Sequence, residues 1–425
     1  MITFLIISLF IMMGIGVPIF VALSFSSIMA TVFFSDFPIG ITVQRLLAGI
    51  DKFSLMSMPF YIFAANIMEK GGMSRRLLDW VDSIFGSFSG STALTTQGAC
   101  MFFGALSGSS PATVSAIGAL MYPELLKNNY SKSFSVGLIS ASGAVAILIP
   151  PSITMIVFGA TTGVSVGGLF IGGIGAGLIY GFSILAYSYY YARKKNIPTL
   201  GRFNFSRFLL LTKEAAWSLG VPVIILGGIF TGAFTPTEAA GVSVVYVILI
   251  TSFVYRELDF RKLYEVCIES SVTIAQVMIL LAAASLFGWV LTVSFIPQMA
   301  ASAIASFVDS KIMMLIIINI LFLIAGMFMD GSAAIMILVP VLFKPCVDFG
   351  IHPVHLGILL VSNICIGMFT PPFGLNLFVA SQVTGLSVSK IAPAIIPFFL
   401  VCLISLLIIT YVPAISLFLP ALAGF

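Results

Sequence analysis

The chain has 425 residues, 60% of them hydrophobic and only 8% charged, and a formal net charge of +4; its mean hydropathy is +1.18. Soluble domains carry about 25% charged residues, so a water-exposed globule is excluded. Apolar runs long enough to cross about 30 Å of hydrocarbon recur from end to end, which makes this an all-α polytopic membrane protein with no room for a soluble catalytic module and no feature that suits a nucleic acid.

In chain order, Met1-Ile2-Thr3-Phe4 lacks a basic leader and a small-residue cleavage site, so it opens a first span. Residues 1–34 read as one long kinked helix or two close ones, around Gly14, Gly16 and Pro18. Sparse charge on an amphipathic pattern over 36–52 suits an interfacial helix. Residues 55–68 span or half-span, and 75–84 are amphipathic again, with Trp80 placed for an interface.

A first broken unit follows. Residues 93–106 run in, the tip Ser107-Gly108-Ser109-Ser110 turns, and 111–121 run back out, a re-entrant helical hairpin. Half-helices over 134–149 and 153–161 then meet at Ile149-Pro150-Pro151-Ser152, because a Pro-Pro pair removes backbone donors and clashes with the preceding turn. Residues 166–191 form a full helix whose glycines at 168, 172, 173, 177 and 181 suit close helix packing.

The polar stretch with Arg193, Lys194, Lys195, Arg202, Arg207 and Lys213 reads as a cytoplasmic connection. Spans follow over 221–230, 239–253, 272–293 and 313–327, giving five crossings, with 166–191, before the second unit. That unit has a hairpin over 321–343 with its tip at Asp330-Gly331-Ser332-Ala333, a break at Thr370-Pro371-Pro372-Phe373 between half-helices 356–369 and 373–383, and a closing helix over 391–417. The marks repeat in order and spacing: Ser109 to Pro150 is 41 positions and Gly331 to Pro371 is 40, while Pro150 to Thr162 is 12 and Pro371 to Thr384 is 13. An odd number of crossings between two such units makes them inverted repeats. Interrupted hydrophobic segments at matching places in two halves point to a transporter's binding site.

A severed helix presents bare N–H groups at one end and bare carbonyls at the other. Carbonyls around Gly108, Ile149 and Pro150 with the hydroxyls of Ser109, Ser110 and Ser152 form one candidate oxygen cage; Gly331, Ser332, Thr370 and Pro371, with Asp330 at the tip, form its counterpart. Neutral oxygen cages suit Na⁺, whereas proton coupling asks for buried Asp, Glu or His. Positive helix ends between the cages suit a carboxylate, with Ser152, Thr154, Gly374 and Asn376 as candidate solute contacts. A single such Ser or Thr more often bonds its own helix backbone; the duplication is what argues for a site. No catalytic residue, cofactor or metal other than Na⁺ is expected. Gly163-Val164-Ser165-Val166-Gly167 has the serine-hydrolase spacing but reads as a turn, which leaves an intramembrane hydrolase as a remote alternative. His352 and His355 read as a solvated loop pair, Glu238 as a helix-capping acid, and the five cysteines as small core hydrophobes.

The Gly-Ser tip, the double Pro-Pro break and Thr235-Pro236-Thr237-Glu238-Ala239-Ala240 resemble the large membrane subunit of tripartite ATP-independent periplasmic (TRAP) transporters, most closely the sialic-acid members. The resemblance implies an elevator in the bacterial inner membrane, with residues 89–192 and 311–425 as the moving repeats and 1–88 and 193–310 as scaffold. It also implies a separate small four-helix membrane subunit, a periplasmic binding protein that delivers the solute, and Na⁺ at the two breaks. A stand-alone citrate-type carrier of the same broken-helix design is the alternative.

Overall fold

The computed structural model describes the whole chain apart from Pro198 and residues 200–203, together with the side chains of Ala300, Ala301, Ala303, Ala305 and Ser306. Arg202, counted above among the basic residues, lies outside the described part. All regular structure in the described residues is helical, as a chain in lipid requires when every backbone group must pair within its own segment.

The N-terminal stretch is two helices, α1 (Ile2–Gly14) and α2 (Ile19–Phe34), parted at Gly16 and Pro18. Short α3 (Gly40–Ile50) is followed, after a bend of 58°, by the segment containing α4 (Ser57–Lys70). Amphipathic α5 (Met73–Phe85) leads into the first hairpin, α6 (Ser91–Ser107) and α7 (Ser110–Lys127). The first broken helix is α8 (Lys132–Ala144) with a tight turn over Val145–Ile147, then α9 (Ile153–Thr162). Next come α10 (Val166–Lys194), α11 (Phe205–Phe230), α12 (Pro236–Val254) and the 34-residue α13 (Phe260–Val293). Short α14 (Ile296–Phe307) precedes the second hairpin, α15 (Lys311–Phe328) and α16 (Gly331–Asp348). The second broken helix is α17 (Pro353–Gly367) and α18 (Leu375–Thr384), and α19 (Val388–Tyr411) and α20 (Ala414–Leu422) close the chain.

Several expectations change. The polar connection ends sooner, because Asn204 caps the next helix by accepting from the Arg207 N–H. Likewise Asp259 accepts from the Lys262 N–H at 2.7 Å and starts α13 at Phe260, twelve residues before the apolar run at 272. Residues 313–327 are not a separate crossing but the inward limb of hairpin two. The hairpin limbs are also longer than the apolar runs suggested, 17 or 18 residues each, or about 26 Å at 1.5 Å per residue. Four spans therefore separate the units, not the five expected. Because the broken helix of unit one itself crosses, an even number between the units is what inverts them, and hairpin one to hairpin two makes five crossings.

Both units pack on α10. At its C-terminal end Tyr191 Oη lies 3.2 Å from Ser131 Oγ in the turn behind hairpin one, and Ala192 fills the space beside Gly90 where that hairpin begins. At its other end Ile358 of α17 and the Ser416 carbonyl crowd Gly172. The two hairpins thus enter from opposite ends. The α10 glycines permit this approach: a Cβ at 173 would sit 2.7 Å from the Leu148 carbonyl, and one at 175 would overlap the Ile415 carbonyl. Outside this body, α13 packs on α2, α3 and α4, and α12 lies against α4. The lipid-facing side keeps large apolar side chains such as Phe10, Phe33, Phe253 and Ile404 exposed.

Gly175→Ala is expected to lower stability by about 1–3 kcal/mol through overpacking against the fixed Ile415 carbonyl. Gly241→Ala, where nothing lies within 4 Å, should not lower it. Thermal melts of the two variants in nanodiscs check the contrast.

Candidate functional site

Each hairpin tip lies on a break. Gly108 adopts φ +58°, and a Cβ on it would overlap the Pro151 carbonyl, so the first tip rests directly on the first Pro-Pro pair. Both pairs, Pro150-Pro151 and Pro371-Pro372, carry cis peptide bonds. In unit two, Gly326 near the end of the inward limb meets Gly367 at the end of α17 backbone to backbone.

The units also exchange contacts. α7 packs on α18, and the Ser110 hydroxyl donates to Asn376 Oδ1 at 2.9 Å, while Asn376 Nδ2 donates to the Ser140 carbonyl of α8 at 3.1 Å. α16 packs on α9, and a Cβ on Gly331 would meet Thr154 Oγ1 at 3.0 Å. Ser110 and Gly331 both occupy the first position of an outgoing hairpin limb. Thr154 and Asn376 both lie eight positions before the threonine that ends their half-helix. The two pairs are therefore equivalents under the inversion, and each hairpin tip seats on the second half-helix of the other unit.

The breaks free backbone oxygen. Among the described residues the carbonyls of Gly108, Ile149 and Pro150 in unit one, and of Phe369 and Pro371 in unit two, accept no hydrogen bond. Pro150 and Phe369 are buried and Ile149 is partly so. Some candidate hydroxyls already donate: Ser152 to the Ile147 carbonyl at 2.6 Å, Thr370 to the Ile366 carbonyl at 2.6 Å, and Ser110 to Asn376. The Ser152 oxygen also accepts from the Met155 N–H at 3.4 Å as the cap of α9. The Ser109 hydroxyl makes no hydrogen bond among the described residues; Ser109 and Asp330 are the matching N-caps of α7 and α16, and Asp330 Oδ2 accepts from the Ser332 N–H at 2.9 Å. Gly374 closes the second break by donating to the Thr370 carbonyl at 3.2 Å, and the Asn376 N–H donates to the Met368 carbonyl at 2.9 Å.

A cavity of about 300 Å³ joins these parts, at the small end of the range for small-molecule sites. Ser107 to Ala112 of the first tip, Asp330 and Ser332 of the second, and Ile153 and Thr154 of α9 line one side. The opposite wall comes from outside the two units: Asn66 and Glu69 on α4, and Thr273 and Gln276 on α13. Ile149, Pro150, Ser152, Gly331, Gly374 and Asn376 do not line the cavity, and Thr370 and Pro371 line a separate cavity against α19. Sequence reasoning missed the α4 and α13 residues. A signal existed, since Asn66/Glu69 and Thr273/Gln276 are i,i+3 polar pairs and so each pair shares one helix face.

The remaining candidates resolve into structural roles. The Ser165 hydroxyl caps α10 by accepting from the Gly168 N–H at 3.2 Å. His352 is the N-cap of α17 and His355 is buried, with Nδ1 2.6 Å from Ser416 Oγ, so the expected solvated pair is corrected; the proline that follows His352 starts a helix there instead of extending a loop. Thr235 and Glu238 form a reciprocal capping box at the start of α12. Four cysteines are buried, Cys267 is half-buried, and none is disulfide-bonded.

Asn376 bridges a hydroxyl and a carbonyl in a buried place, so Asn376→Ala should cost about 1–3 kcal/mol by leaving both unpaired, and Ser110→Ala about 1 kcal/mol. Denaturation of the two variants side by side tests the ranking.

Comparison with known proteins agrees with this architecture. Residues 6–415 match the family model described as "Tripartite ATP-independent periplasmic transporter, DctM component". The chain is 42% identical over 405 residues to the isethionate TRAP transporter permease protein DctMQ of Oleidesulfovibrio alaskensis, covering 95% of this chain and 64% of that longer protein. It is 42% identical over 403 residues to the C4-dicarboxylate TRAP transporter large permease protein DctM of Pseudomonas aeruginosa, covering 95% and 94%. The crystal structure of the Alcanivorax borkumensis YdaH transporter, reported to have an unusual topology, shares the fold at a TM-score of 0.53 with 15% identity over 85% of each chain. The chain is a multi-pass membrane protein of the DctM family, the large permease component of the tripartite ATP-independent periplasmic transporters.

Proposed function

We propose that this chain is the permease of a Na⁺-coupled secondary transporter that imports a carboxylate solute, with sialic acid (N-acetylneuraminate) as the solute its sequence favours. One observation carries the coupling ion: buried carbonyls at both Pro-Pro breaks accept no hydrogen bond, and a hairpin tip lies beside each. Bare carbonyls at low dielectric need a cation or water. Among the described residues no three His, Cys, Asp or Glu side chains cluster to hold a metal ion, so the donor set is neutral oxygen, the field a monovalent ion tolerates. The carboxylate would bind between the sites, where α7 and α16 direct their N-termini at the cavity.

Energetics favour two ions. A tenfold Na⁺ gradient supplies about 1.4 kcal/mol per ion, and one net charge crossing 100 mV adds about 2.3 kcal/mol. One Na⁺ with a monoanion moves no net charge. Two supply about 5 kcal/mol, enough for a several-thousandfold accumulation, and the inverted repeat provides two cages.

The two units, packed on each other and on α10, would move together against the α2, α3, α4, α12 and α13 scaffold as an elevator. A small membrane subunit and a periplasmic binding protein would complete the transporter. The α1, α2 and α11 surfaces are apolar and open for the former, and the name of the longer relative, DctMQ, suits a fused pair. Both relatives' printed solutes, isethionate and C4-dicarboxylates, are acids.

Uptake of N-acetylneuraminate into proteoliposomes holding the permease, the small subunit and the binding protein should collapse when choline replaces Na⁺ at constant pH. Removing the carbonyl-flanking hydroxyls by Ser109→Ala or Thr370→Ala should raise the Na⁺ needed for half-maximal thermal stabilisation, by roughly tenfold. Strict proton dependence with indifference to Na⁺ refutes the coupling; uptake that proceeds without the binding protein points to a stand-alone carrier.

A further inference from the structure

The cavity has two chemically unlike walls. On the side of the breaks lie the N-termini of α7 and α16, two 18-residue helices whose exposed N–H groups favour an anion. Asp330 on that side is already committed to capping, through the Ser332 N–H. On the α4 and α13 side stand the Glu69 carboxylate and the Asn66 amide, whose Nδ2 gives one hydrogen to Ser270 Oγ at 2.9 Å; the Gln276 amide beside them can both accept and donate. Glu69 makes no ion pair among the described residues, because its neighbour Lys70 is held by Glu269 at 2.6 Å and Arg76 by Glu257 at 2.6 Å. None of the residues lining the cavity is Lys, Arg or His.

Resting on the transport reading above, we infer that Glu69 sets solute class: the cavity takes a monocarboxylate whose other end carries hydroxyl or ammonium donors, and discriminates against a dianion. The carboxylate lies toward the helix N-termini and the proposed ions, and the donors lie toward Glu69 and Asn66. A second carboxylate at the far end would face Glu69, whose neighbouring cation Lys70 is already paired with Glu269, and like charges at close range repel. Glu69 is thus a specificity residue contributed by an element outside the two broken units, which ties selection of the solute to the meeting of those units with the scaffold.

The test is calorimetric binding of gluconate, a hydroxylated monoanion, and succinate, a dianion, to the full-length chain in nanodiscs with saturating Na⁺. The native chain should bind gluconate at least tenfold more tightly than succinate. Glu69→Gln should weaken gluconate roughly tenfold, by loss of a charge-assisted hydrogen bond, and tighten succinate. Gln276→Glu, which adds a carboxylate to the same wall, should widen the native preference and serves if Glu69→Gln fails to fold. A native preference for succinate, or no change in the ratio with either variant while Na⁺ still raises the melting temperature, overturns the inference alone. Absence of both Na⁺ stabilisation and acid binding in the native chain overturns the transport reading and this inference with it.

Discussion

A peptide group placed in hydrocarbon without a hydrogen-bond partner is more costly than most side-chain choices can offset. Nearly every feature of this protein follows from how it meets that constraint. Over most of its length it does so with uninterrupted helices. At two places it cannot, because Pro150-Pro151 and Pro371-Pro372 deny the ladder its donors. Protein shields part of what is freed: the first hairpin tip rests on the first break, the inward limb of the second meets the end of α17, and the second half-helix of each unit receives the tip of the other. What the chain leaves bare after that shielding is a small number of carbonyl oxygens at the breaks and two helix N-termini that border one cavity.

This arrangement explains why polar contacts in the interior are specific rather than numerous. Asn376 joins Ser110 to Ser140 across the two units, and Asn319, Asn363 and Thr410 link α15, α17 and α19 in a buried chain at 2.8 and 3.0 Å. Hydrogen bonds of this kind between apolar helices fix register where hydrophobic contact with lipid-like neighbours does not discriminate. Glycine provides the complementary device. The α10 glycines let backbones approach within the distance of a missing methyl group, so both units hold to one central helix while remaining distinct from the helices around them.

A division of labour for the proposed transport follows from these contacts. The units supply the oxygen cages and the anion-facing helix ends; the surrounding helices supply the wall with Asn66, Glu69 and Gln276. A solute held between them touches both bodies at once. Charge at the far wall, rather than at the breaks, then separates one acid from another, since bare peptide N–H groups accept many carboxylates alike.

The sequence by itself determined the class of protein, the two broken units, their tips and their order, because proline and glycine act locally on backbone geometry and hydropathy sets where helices can run. Pro150, Pro371, Gly108 and the capping role of Glu238 were all legible for that reason. It did not determine the limits of hairpin two or the extra turns of α11 and α13, since caps such as Asn204 and Asp259 extend helices into polar stretches that look like loops. Nor did it place His355, which reads as half of a solvated loop pair with His352 yet packs against Ser416, 61 residues on. Only the tertiary structure decided that Ser110 meets Asn376, that Gly331 meets Thr154, and that Glu69 faces the tips. Those pairings join residues up to 266 positions apart. They depend on how two inverted units dock, and docking is fixed by packing between surfaces that no local pattern encodes.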